Sequence, residues 1–163
     1  MSKLAEKPKP NELYESDFYA WTQEQARLLR AKRWNDLDLE NLIEEVESVG
    51  KSEKKELRSR MQVLLVHLLK WTYQANLRGP SWRRTIRDQR EEIVNVVDDS
   101  PSLRPYLETA LSRSYLGATL KAAEEAGISV AVFPDECPFS MEQVLDANFL
   151  PEEVDHIGST SKK

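Results

Sequence analysis

The chain is poor in the residues that carry most small-protein chemistry. It has one cysteine, Cys137, and only 2 histidines among 163 residues. A lone cysteine excludes an internal disulfide and fits a reducing compartment, and it has no histidine or second cysteine at zinc-ligand spacing. Glycines number 5, and no phosphate-cradling loop, dinucleotide glycine pattern or nucleophile elbow is formed from them. No apolar run exceeds four residues, as at "VLLV", residues 63–66, so nothing predicts a membrane span. The opening "MSKLAEKPKPNELYE" has no apolar stretch of signal-peptide length, so the expected location is the cytoplasm.

What is present is charge and helical pattern. The net charge of -5 conceals a segregation: residues 1–50 sum to −4, residues 51–90 to +8 and residues 91–163 to −9. A basic middle between acidic flanks either offers a face to a polyanion or pairs within the fold. Surface pairing is common and weakly stabilising, which favours the second reading.

Apolar residues recur at helical rather than strand spacing along nearly the whole chain. Asp17 or Ser16 caps a first helix whose face carries Phe18, Trp21, Gln25 and Leu28, with Phe18 and Trp21 expected in the core. Asp38 suits the cap of a second, in which Leu39, Leu42, Ile43, Val46 and Val49 form a clear stripe. Gly50 sits where that helix either ends or continues, so residues 38–77 are one rod or two. Residues 57–77 are apolar nearly all round, as a central helix would be. Pro80 opens another helix carrying Trp82, Ile86, Ile93 and Val97, and Gly127 fits the left-handed cap of the last long one. "ISVAVF" reads as an extended apolar strap, and Ser140 with Gln143 has capping-box spacing before a short helix. The expected architecture is all-α: a compact bundle of four to five main helices, a short C-terminal helix and the strap. A single domain over residues 13–152 is expected, between flexible ends at 1–12 and 153–163.

The candidate chemistry is sparse. His67 and Lys70 stand three apart on the greasy central helix, and Glu44 and Glu47 share a seam with Glu40 on the preceding stretch. If two helices bring the seams together, the carboxylates hold the histidine charged, and these four are the only candidate acid–base groups. No serine, cysteine or second histidine stands beside them, so a structural network is the simpler reading. Leu64, three before His67, breaks a di-iron pattern, and the one Glu-x-x-His match, Glu153 with His156, lies in the polar tail. Asp36, Asp38, Glu40, Glu44 and Glu47 mimic a calcium loop, but Asn41 replaces the turn glycine and the leucines continue a helix. No metal and no cofactor are expected. Arg83, Arg87 and Arg90 fall at i, i+4 and i+7, a stripe that would bind phosphate if it faces outward.

The phrases "YESDFYAWTQEQARLLR", "LDLENLIEEVESVG", "LLVHLLKW", "SWRRTIRDQR", "SPSLRPYLE" and "FPDECPFSMEQVL", in this order, resemble the bacterial family known as domain of unknown function 29. The resemblance spans roughly residues 12 to 152 and includes Trp21, Glu44, Glu45, His67, Lys70, Trp71, Trp82 and Arg87. It implies a compact all-helical fold in a bacterial cytoplasm and no activity. The residues therefore favour a non-enzymatic helical module that binds a protein partner or itself. The alternative is a nucleic-acid-binding protein, with hydrolysis conceivable if the arginines and His67 share a cleft. A small-ligand pocket between helices around Trp71 and His67 is a third.

Overall fold

A computed structural model describes residues 10–152. Among them the chain forms six α-helices and four short 3₁₀ turns, and no strand. The expected loose ends at 1–9 and 153–163, with Glu153 and His156, lie outside the described residues. Within the expected arm, α1 already begins at Pro10 and runs Pro10–Ser16. Two compact units are distinguished, Met1–Ser52 and Glu53–Lys163.

In the first unit, α2 (Phe18–Arg30) starts at Asp17, whose carboxylate accepts from the Ala20 amide. Its buried face is Trp21, Gln25 and Leu28. Tyr14 and Phe18 pack on Trp21 at ring centroid distances of 5.0 and 5.5 Å. Phe18 nevertheless stays 48% exposed, because it lies at the rim of the buried face rather than within it. Asp38 ties the unit together. Its carboxylate accepts from Trp21 Nε1 at 3.1 Å and its backbone amide donates to Gln25 Oε1 at 2.9 Å. A buried Trp N–H and a buried Gln oxygen are thereby satisfied by one residue just ahead of α3.

Helix α3 runs unbroken from Leu39–Tyr73. Gly50 does not end it: the surrounding glutamates and lysines are good helix formers, which offsets a glycine cost of about 1 kcal/mol. In the second unit α3 is the centre. Leu57, Met61, Leu64, Leu65, Leu68 and Leu69 have no exposed surface, each burial stabilising by roughly 1.5–3 kcal/mol. Around them pack α4 (Pro80–Asp99), α5 (Leu107–Ala126) and the short α6 (Met141–Leu145). Pro80 takes the first turn of α4, after Gly79 as the cap. Gly127 closes α5 in the left-handed region at φ 65, where a side chain would be strained. Ser140 and Gln143 form a reciprocal capping box at α6. The "ISVAVF" segment forms a 3₁₀ turn over Val130–Val132 that ends with Phe133 buried, its ring edge-on to Tyr73 at 4.9 Å.

Candidate functional site

The continuity of α3 removes the arrangement that would have made a catalytic centre. Glu44 and Glu47 stand on the same helix as His67 and Lys70, not on a facing one. Glu47 pairs instead with Lys51, one turn on, at 3.3 Å. Glu45 accepts the Tyr14 hydroxyl at 2.7 Å. That bond, with lesser contributions from burial and neighbouring carboxylates, pushes the phenol up to about 12.

Lys70 finds its partner on α5: its ammonium donates to Glu125 at 2.7 Å and lies 4.7 Å from the centre of the Trp82 ring. The hydrogen bond from Lys70 holds the Glu125 carboxyl below its ordinary range, with Lys121 and His67 adding to the effect. His67 Nδ1 lies 2.9 Å from the Val63 carbonyl, one turn back. A carbonyl only accepts, so that contact requires the proton on Nδ1. The residues around it form a groove of about 240 Å³ that includes Gln62, His67, Lys121 and Glu125. The partner of Lys70 is thus not one of the anticipated carboxylates but Glu125, and the pair bridges α3 and α5. Glu125 was missed from sequence because its partner is 55 residues away and "AAEEAG" looks like any solvated helix end.

The arginine stripe divides. Arg83 is exposed, with its guanidinium 5.3 Å from the centre of the Trp71 ring. Arg87 is exposed and paired with Asp88 at 2.9 Å. Arg90 does not belong with them as a phosphate-facing rung. It is buried and donates to the carbonyls of Val144, Gln143 and Phe149. Burial lowers its pKa, partly countered by Asp146. The turn of α4 toward the core places Arg90 beside Ile86 and Ile93, so its charge fastens the C-terminal segment.

The same accounting removes the calcium loop. Asp36 pairs with Arg33 at 2.6 Å, Asp38 holds Trp21 and Asn41, and the glutamates ride a helix. Among the described residues no group of three or more His, Cys, Asp or Glu side chains is placed to hold a metal, and no helix is long and apolar enough to cross a membrane.

The feature that stands out is an apolar stripe left bare. Leu39, Ile43, Val46 and Val49, which the spacing marked as a helix face, are 55%, 58%, 67% and 66% exposed. The inner side of this part of α3 is carried by Asn41, Leu42 and Glu45, all partly buried. Glu40 and Glu47 border the stripe, with Glu44 a step further round, and all three are exposed. An uncovered helix face with a charged margin is what a partner-binding helix presents.

A family model described as domain of unknown function DUF29 matches residues 13–150, and the chain belongs to that family. No curated protein matches the chain, and no solved structure does.

Proposed function

We propose that this DUF29 protein is a helical interaction module, and that its binding face is the exposed stripe of α3 at Leu39, Ile43, Val46 and Val49. One observation carries the reading: four large aliphatic side chains, at helical repeat on one element, are each more than half exposed. Leaving that much of them in water forfeits on the order of 1–2 kcal/mol per side chain that full burial would supply. A covering partner recovers that energy, and the few polar groups on the stripe leave little to desolvate.

The second sequence reading, a phosphate-binding surface, has less support. Arg90 is taken up by three carbonyls and Arg87 by Asp88, which leaves Arg83 and Arg84 as the open cations of the ladder.

Photo-crosslinking tests the module reading. A benzoylphenylalanine at position 46 is expected to yield a discrete protein adduct in the cells that make this protein. The same group at position 108, exposed on α5, is expected to yield none. Equal patterns at the two positions would overturn the assignment of the face.

A further inference from the structure

We infer that the occupant of the α3 stripe is a basic amphipathic helix of another protein, rather than a second copy of this chain. The inference rests on the module reading above and adds the chemistry of the partner.

The stripe fixes the shape. Leu39, Ile43 and Val46 follow one another at steps of four and three, the spacing of a helix–helix seam, and Gly50 continues it with no side chain. A cap of Cβ size at Gly50 would meet nothing within 4 Å, so that end of the seam is open to a close-packed helix. From Leu39 to Gly50 the face rises about 16 Å, room for about three turns of a partner helix.

The margin fixes the charge. Glu40 and Glu47 flank the seam and Glu44 stands behind them; the salt link of Glu47 to Lys51 is between two exposed side chains and is worth little. On the opposite margin lies Leu42, beside which Glu45 is occupied by Tyr14. A second copy is a poor match for this frame. In an antiparallel pair that sets Ile43 against Val46, Glu40 of each chain falls beside Glu47 of the other. A parallel pair sets them instead beside Leu42 and Val49 of the other chain, where no cation answers them. Like charges side by side in the first pairing, and unanswered charges in the second, oppose association. Phosphate-bearing surfaces are repelled for the same reason. A helix with leucine-like residues along its seam and lysine or arginine at its margins satisfies both the apolar stripe and the carboxylates.

The test uses two labelled peptides of three heptads, with leucine at both seam positions of each heptad. One carries lysine at the flanking positions and the other glutamate. Fluorescence anisotropy against the full chain is expected to show binding of the lysine peptide, weakening as salt is raised. The glutamate peptide is expected to bind at least about tenfold more weakly. The double variant Ile43→Gln/Val46→Gln should lose at least about tenfold in affinity for the lysine peptide, with its circular dichroism unchanged. The variant Leu116→Gln/Leu120→Gln, which alters another exposed pair on α5, should bind as the parent does. Equal binding of both peptides, abolished by the α3 variant, overturns the basic partner and leaves the module. Self-association in sedimentation that the α3 variant abolishes also overturns it, making a second copy the occupant. Lysine-peptide binding that ignores the α3 variant places the contact elsewhere and overturns it too. If neither peptide binds and the chain stays monomeric, the module reading falls with it.

Discussion

The two halves of α3 carry one pattern and meet two fates. Leu39 and Leu57, Ile43 and Met61, and Val46 and Leu64 are each eighteen residues apart, about five full turns, and so share a side of the helix. In the second half all three are fully buried, while their counterparts in the first half are more than half exposed. The difference lies in what is packed against them. Around the second half are α4, α5 and the C-terminal segment; α4 ends where Ser100 Oγ donates to Glu53 at 2.7 Å. Periodicity thus marks a face that something must cover, and it does not say whether the cover belongs to the same chain.

The largest effects should come from the covered half. Leu64→Ala should lower unfolding free energy by about 3 kcal/mol in chemical denaturation, through lost burial and a residual cavity. A loss below about 1 kcal/mol would mean that this half of α3 is not the packed centre. A loss of similar size, about 3 kcal/mol, is expected for Arg90→Met, which leaves the carbonyls of Gln143, Val144 and Phe149 without their charged donor. Protease should then cleave within residues 143–149 before the rest of the second unit. Unchanged stability in that variant would restore Arg90 to the surface.

Two titrations sharpen the contrast from either side. In the first unit, Glu45→Gln removes the carboxylate that raises Tyr14. The phenol near 12 should fall toward its ordinary value of 10.0 in ultraviolet titration. Because the folded pKa is the raised one, this link is fully present below about 10 and is lost as pH rises through 12. In the second unit, the depressed pKa of Glu125 makes the Lys70 link present above the ordinary glutamate range and lost as pH falls through the folded value. Lys70→Met should therefore flatten the acid limb of the stability curve. The effect is small, because the Glu125 side chain is 37% exposed and solvent screens the pair.

How far the sequence could be read follows from the range of the interactions involved. The caps at Asp17, Gly127 and Ser140 are settled within four residues, and each was legible. So was the greasy girth expected over residues 57–77, since a helix buried on most sides has no polar face to show, although α3 ends at Tyr73 and a 3₁₀ turn follows at Ala75–Leu77. Arg90 was not legible: it has the same spacing as Arg83 and Arg87, and its acceptors lie more than fifty residues on. Gly50 left residues 38–77 open as one rod or two, because a single glycine costs too little to decide the matter; the good helix formers around it carry α3 through. The stripe at Leu39, Ile43, Val46 and Val49 was legible as a helix face, but not its exposure, since the same spacing at Leu57, Met61 and Leu64 is core.

The smallest predicted effect bears most directly on the central claim. Ile43→Gln/Val46→Gln and Met61→Gln/Leu64→Gln make the same change of chemistry on the same side of α3, five turns apart. Denaturant unfolding of the two variants beside the parent compares the halves of one stripe. The bare-face account predicts a change within about 0.5 kcal/mol for the first, as for ordinary surface substitutions. It predicts a loss of several kcal/mol, or no folded protein, for the second. A loss of comparable size in both would contradict it, because the first half of the stripe would then be covered within the chain itself and have no face left to offer a partner.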